Sequence, residues 1–166
     1  LPRVLFIGCT NLKTVKLPQS LSVIGESAFN ECTGLENIDL PDGLREIKAR
    51  AFEECVNLKA VVIPEGVAEI GTYAFRKCEN IERVVIPDSV IEIKSCAFRQ
   101  CSNLKSITLP AGIKSIGEDT FRETAVSEII FKGTMEQWET IMAKAYWNIF
   151  YCDYTVYCTD GQIKSN

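Results

Sequence analysis

Residues 78–98 read CENIERVVIPDSVIEIKSCAF, and this stretch decides the fold because it recurs along the chain. Its first cysteine belongs to a column of Cys9, Cys32, Cys55, Cys78 and Cys101, and its proline to Pro18, Pro41, Pro64, Pro87 and Pro110, both stepping by 23 residues. The same step carries Phe29, Phe52, Phe75, Phe98 and Phe121, preceded by Ala28, Ala51, Ala74 and Ala97, with Thr120 ending the small-residue column. Ile24, Ile47, Ile70, Ile93 and Ile116 form a further apolar column, as do Leu12, Leu35, Leu58, Ile81 and Leu104. A period in this range marks a stacked repeat architecture.

Inside the unit, Leu-x-x-Ile-x-Leu alternates towards its end and stops at proline, as a short strand leaving its sheet does. Strands are expected near residues 14–17, 37–40, 60–63, 83–86, 106–109 and 128–131. The Ala-Phe-x-x-Cys portion has helical spacing but room for only about one turn. One such coil buries too little apolar surface to offset the entropy of ordering its chain, so stability must come from coil-on-coil stacking. The expected fold is an α/β repeat solenoid, a right-handed array with one parallel β-sheet.

Residues 1–131 carry the repeats and 132–166 read as a C-terminal cap. Leu5, Phe6 and Cys9 match the tail of a repeat, so the array is expected to begin mid-repeat. At the other end Thr124 takes the cysteine column, one residue is lost, and Val126, Ile129 and Phe131 complete the last strand. Thr134-x-x-Gln137 has the capping-box form, and Trp138, Ile141, Met142 and Ala145 recur on one helical face. A final strand is expected at Tyr154 to Cys158, closed by a turn at Asp160-Gly161. An open solenoid end exposes core and strand edge, which this helix-strand cap would cover.

Composition excludes more than it suggests. The 166 residues are 46% apolar and 24% charged, ordinary for a globular chain, and the net charge of −4 offers no footprint for nucleic acid or an anionic membrane surface. No apolar run approaches the length of a membrane span. The sequence has no histidine, which removes Ser-His-Asp and Cys-His pairs, His-ligated zinc and the commonest general base at neutral pH.

The unit quoted above closely resembles the bacterial surface-antigen type of leucine-rich repeat, the BspA-like class, over residues 1–131. Residues 132–161, with Trp138, Trp147 and the run Tyr154 to Gly161, are similar to a C-terminal segment found on such arrays in gut bacteria. Lys48 and Lys94 depart from the pattern where the family usually places glycine. The resemblance implies an extracellular or cell-surface, non-enzymatic module that binds a protein or glycan on a host or bacterial surface. It implies no catalytic residues; no cofactor, metal, nucleic-acid partner or membrane insertion is expected either, and the chain is expected to be a monomer. The alternative is a structural spacer within a larger surface protein.

Side chains alternate across a strand, and the inward ones are committed to core, so the outward positions are the candidate binding surface. These are Lys16, Asp39, Val62, Val85, Thr108 and Ile130, and, two positions earlier, Thr14, Asn37, Ala60, Arg83, Ser106 and Glu128. The first two coils are polar there. Ala60, Val62, Val85 and Ile130 make the later face partly apolar around Arg83, and these five with Thr108 are the candidate contact residues, against the plainer reading that exposed β-branched residues satisfy strand propensity. Lys13, Glu36, Lys59, Glu82 and Lys105 alternate in sign and read as a register-setting charge ladder. Glu46, Glu69 and Glu92 stack like charges, read as a solvated face relieved by Lys48 and Lys94 in preference to a cation site.

The cysteine column reads as buried free thiols. Equivalent residues on stacked strands sit about 4.8 Å apart, too far for a bridge, and no Cys-x-x-Cys or histidine accompanies them. Cys96 shares a column with Ser27, Arg50, Tyr73 and Asp119, a variability expected of an exposed position. No bridge is expected between Cys152 and Cys158. Trp138, Tyr146, Trp147, Phe150, Tyr151, Tyr154 and Tyr157 are read as cover for the last coil, ahead of a sugar-stacking or partner-anchoring role.

Overall fold

The computed structural model describes residues 1–144 and 153–165. Coils are counted here from one cysteine-column residue to the next: one (9–31), two (32–54), three (55–77), four (78–100), five (101–123) and six (124–131). In chain order the strands are β1 (Val23–Ile24), β2 (Glu46–Ile47), β3 (Glu69–Ile70), β4 (Arg83–Val85), β5 (Glu92–Ile93), β6 (Ser106–Leu109), β7 (Ser115–Ile116) and β8 (Glu128–Phe131). Helix α1 (Met135–Lys144) and strands β9 (Thr155–Cys158) and β10 (Gly161–Lys164) follow.

The repeat spacing produces the expected parallel solenoid, but its strands form two sheets among the described residues. The order is β1-β2-β3-β5-β7 in the first and β10-β9-β8-β6-β4 in the second. Parallel pairing matches one coil to the next, as in Ile47↔Ile70, Ile70↔Ile93 and Val84↔Ile107. The first sheet replaces the expectation of a single one. Its strands are two residues long, too short to show alternation, so in the sequence they look like no more than the isoleucine column. Of the six expected strands, three are regular (β4, β6 and β8), residues 37–40 and 60–63 share one bridge at Asn37↔Ala60, and 14–17 lies in no strand.

A third seam runs through the turns. Ser27, Phe29 and Glu31 donate their amides to the carbonyls of Ala49, Ala51 and Glu53 one coil on, and Tyr73, Phe75 and Lys77 do the same to Ser95, Ala97 and Arg99. Two residues per coil are left-handed here, for example Arg50 (φ 58°) with Glu54 (φ 60°) and Cys96 (φ 59°) with Gln100 (φ 63°). Consecutive turns therefore replace the single helical turn that the Ala-Phe-x-x-Cys spacing suggests. The first left-handed position is the column Ser27, Arg50, Tyr73, Cys96 and Asp119. Its variety reflects a demand on the backbone and not exposure: short Ser27 and Cys96 lie flush in the turn, each 7% exposed, while Arg50 reaches into solvent. The expectation that Cys96 is exposed is thus overturned.

The core is columnar. Phe6, Phe29, Phe52, Phe75, Phe98 and Phe121 stack with successive centroids 5.2–6.1 Å apart and planes within 13° of parallel, at the spacing aromatic pairs favour. Beside them the thiols of Cys55, Cys78 and Cys101 donate to the carbonyls of Phe29, Phe52 and Phe75 at 3.1 Å. All described cysteines are free. Where threonine takes the alanine column, the buried Thr120 hydroxyl donates to the Gly117 carbonyl at 2.7 Å, which removes the cost of burying it.

Glu53 is the buried charged side chain of the solenoid wall, in the turn seam. Arg50 reaches it at 2.8 Å from its own coil and Arg76 at 2.7 Å from the next. Arg50 also lies over the Tyr73 ring, 4.8 Å from its centroid. A buried carboxylate survives because two guanidinium groups pair it.

The cap closes the C-terminal coil. Thr134 and Gln137 form the reciprocal capping box, Thr134 accepting from the Gln137 amide at 3.2 Å and Gln137 from the Thr134 amide at 2.8 Å. Trp138 packs on Phe131 with centroids 5.4 Å apart. Asp160 accepts from the Met135 amide at 2.9 Å, tying the helix to the β9–β10 hairpin. The hairpin adds β9 in parallel to β8 and β10 antiparallel to β9, extending the sheet beyond the last repeat. Ala145, Tyr146, Trp147, Phe150, Tyr151 and Cys152 lie outside the described residues.

Two measurements test this packing. Glu53→Gln removes one end of two charge-assisted bonds and is expected to cost about 2–3 kcal/mol in denaturant unfolding, with a loss below about 1 kcal/mol contradicting the clamp. Thiol labelling of the native protein should modify exposed Cys9 before Cys32, Cys55, Cys78, Cys96 and Cys101. Burial pushes the Cys32 thiol up to about 11 and that of Cys101 to about 12, leaving little of the reactive thiolate near neutral pH. Early labelling of Cys55 or Cys78 would contradict the stacking.

Candidate functional site

The face predicted by alternation exists. Val62 is 81% exposed, Val85 59% and Ile130 40%, while their neighbours Val61, Ile63, Val84 and Ile86 are in the core. Register places Val85, Thr108, Ile130 and then Tyr157 side by side across β4, β6, β8 and β9. Ala60 and Arg83 are also exposed, and Thr108 is half-buried. Ser106 departs from the pattern: lying in register between the longer Arg83 and Glu128, it is buried. The row thus runs from the repeats into the cap. Tyr157 is 44% exposed and belongs to it, which the sequence could not show because β9 has no repeat column to set its register.

Around Ala60, Val62, Arg83 and Val85 the surface sinks into a cleft of about 630 Å³, also bounded by Asp42, Pro64, Glu65, Pro87 and Lys132. It lies over an interruption in the seam. At neighbouring junctions the same rung recurs, from the Glu36 amide to Lys13, Lys59 to Glu36, Lys105 to Glu82 and Ser127 to Lys105. Between coils three and four the rung from Glu82 to Lys59 is missing, and no main-chain bond joins 59–63 to 82–86.

The charge ladder divides at the same point. Lys59 pairs with Glu36 at 2.9 Å and Lys105 with Glu82 at 3.6 Å, so the two ion pairs turn their backs on the junction. Neither of the other seams is interrupted there: Glu69↔Glu92 and Ile70↔Ile93 remain paired, and the turn bonds from Tyr73, Phe75 and Lys77 persist. Below the cleft the Glu65 carboxylate accepts from the amides of Asp88 and Ser89, both at 3.3 Å, clasping the two coils.

A second hollow, about 450 Å³, lies on the β1–β7 sheet between Glu46, Lys48, Glu69, Gly71 and Lys94. Lys48 sits 3.3 Å from Glu46, and Lys94 lies 2.8 Å from Glu92 and 3.3 Å from Glu69. Each glutamate of the column is therefore paired with one of two lysines, Lys94 bridging Glu69 and Glu92. Gly71 stands between these lysines in its column because a Cβ there would meet the Lys48 carbonyl carbon at 2.6 Å. No group of metal-ligating side chains was found among the described residues.

The repeat geometry matches a known pattern. A family model described as BspA type leucine rich repeat region matches six copies over residues 1–124, three quarters of the chain. The chain belongs to the BspA-type leucine-rich repeat family. The leucine rich repeat protein of T. pallidum is similar in structure, with a TM-score of 0.74 at 31% identity, the match covering 92% of this chain and 79% of that one. A leucine rich cell surface protein from Faecalibacterium prausnitzii gives 0.74 at 28% identity over 77% of this chain and 34% of its own length. The pneumococcal vaccine antigen PcpA, at 18% identity and a TM-score of 0.67, shares the fold. No curated protein sequence matches the chain.

The BspA-type coils position the charge ladder as a test of register. The hydrogen bond from Lys59, then its charge and that of Lys13, hold the Glu36 carboxyl below the usual range. The charged form is favoured in the fold, so the pair's contribution is present above the ordinary carboxylate pKa and fades as pH falls through the lowered value. Carboxyl NMR should find Glu36 titrating below an ordinary glutamate in the native chain and returning to the usual range in Lys59→Ala. An unchanged Glu36 midpoint would remove the pair.

Proposed function

We propose that this chain is a cell-surface module that binds a protein partner through the face carrying Ala60, Val62, Arg83, Val85, Thr108 and Ile130. The observation that carries the reading is Val62 and Val85, the two most exposed large apolar side chains on that face, flanking a cleft on adjacent coils. Apolar side chains exposed together beside a hollow suit a contact surface, and Arg83 adds a residue type enriched at interface hot spots. The surface location is supported by family membership and by the similar Faecalibacterium protein, which is described as a cell surface protein. The polar positions Thr14, Lys16, Asn37 and Asp39 of coils one and two fit a spacer role for that end of the array.

A screen of the purified protein against matrix proteins and glycans identifies the partner class. Val62→Thr combined with Val85→Thr keeps β-branching, so the melting temperature should move by no more than a few degrees, while affinity for a protein partner falls by about 1–3 kcal/mol. Unchanged affinity moves the site elsewhere; glycan binding without protein binding overturns the partner class.

A further inference from the structure

The exposed row has a definite length and spacing. Val85, Thr108, Ile130 and Tyr157 pair in register across β4, β6, β8 and β9, and Val62 precedes Val85 by one 23-residue step. Both ends turn polar: exposed Asp39 precedes Val62 in the column, and exposed Gln162 of β10 stands opposite Tyr157. Five positions, one per coil or strand, thus form a largely apolar stripe running across the strands, with half-buried Thr108 at its centre. At about 4.8 Å per strand the stripe is roughly 19 Å long.

One flank of the stripe carries a charge of each sign. Arg83 and Glu128 lie in register on either side of buried Ser106, two strands apart. The ladder charges beside them are committed, Lys59 to Glu36 at 2.9 Å and Lys105 to Glu82 at 3.6 Å. Among the described residues Arg83 and Glu128 are therefore left without an ion pair. On the opposite flank Lys132 is held by Asp88 at 2.6 Å.

Spacing decides what shape of partner matches. Side chains on one side of an extended segment recur about every 6.6 Å, so a segment laid along the stripe drifts from the strands by about 7 Å over four steps. A helix returns a side chain to one face about every 5.4 Å, a drift of only about 2.4 Å. Helix residues seven apart are separated by about 10.5 Å, close to the roughly 9.6 Å of two strand spacings between Arg83 and Glu128.

We propose that the stripe takes an amphipathic helix of a partner protein, about four turns long and laid across the strands. A carboxylate on its flank meets the Arg83 guanidinium, and a cation about seven residues further along meets Glu128. Turning the helix end for end would carry both charges to the opposite flank, so the charge order also fixes its direction. The proposal rests on the protein-binding face described above and names the shape and charge order of what binds there.

The test uses the full chain and a phage library of random peptides about eighteen residues long. Selected peptides should repeat apolar residues every three or four positions, with an acidic residue and, about seven positions on, a basic one. A synthetic copy should gain helical circular dichroism on binding and shift the NMR signals of the Val62 and Ile130 methyls and the Tyr157 ring together. Arg83→Gln, Glu128→Gln and Ile130→Thr should each weaken it about fivefold or more with the melting temperature kept. No selectable peptide, binding without helix formation, affinity indifferent to any of these three substitutions, or shifts confined to Val62 and Val85 overturns the proposal. The face itself is judged separately. A folded protein from the matrix screen that depends on Val62 and Val85 but ignores Glu128→Gln and Ile130→Thr keeps the binding face and overturns the helix footprint. One indifferent to Val62→Thr with Val85→Thr overturns the face as well.

Discussion

Everything in this molecule depends on main-chain hydrogen bonding between coils. A coil of 23 residues has too small an interior of its own: its phenylalanine packs between the phenylalanines before and after it, 5.2–5.3 Å away through most of the stack. Three seams of intercoil bonds hold that stack, two of them sheets and one built from turns. The turn seam requires two left-handed residues per coil, a conformation that costs non-glycine residues roughly 1–2 kcal/mol. Hydrogen bonds to the next coil, repeated at every junction, over-determine that backbone.

Stacking also explains what each column may contain. Inward columns are nearly invariant because each side chain packs on its own equivalents, and an odd size would leave a gap in two coils at once. Cysteine suits its column as a small apolar residue whose thiol can donate to the phenylalanine carbonyl 26 residues earlier. Outward columns carry few packing demands from the stack. That freedom lets Val62 and Val85 stand exposed where Lys16 and Asp39 occupy the same positions in earlier coils.

The period, the columnar core, the capping box and the exposed strand row were legible in the sequence, since each is written in residue type at fixed spacing. The second sheet was not, because Glu46–Ile47 and its equivalents are too short to carry a period. Cys96 runs against its column's apparent exposure because the variability there comes from the left-handed backbone, not from solvent contact. The cleft left a trace only in hindsight. Every 23-residue column runs through the junction of coils three and four without a break, and the alternating ladder allows Lys59 to pair either way; the structure commits it to Glu36. Tyr157 joins the row through a register set by the cap and by no repeat.

A gap in one of three seams has consequences that a gap in a two-seam structure would not. The intact β3–β5 pairing and turn bonds hold coils three and four together on their other two sides, and Glu65 clasps them beneath the cleft. The unpaired edge is therefore held on a rigid frame, and the cleft-lining side chains Val62, Arg83 and Val85 are presented with little left to order on binding. Exposed edges invite unspecific pairing, and proteins restrain them by keeping them short, twisted or charged. Here the edge is a few residues long, closed at its end by Pro64 and Pro87, which offer no amide, and marked by Arg83. Length and charge together keep an edge inside a repeat array from pairing unspecifically.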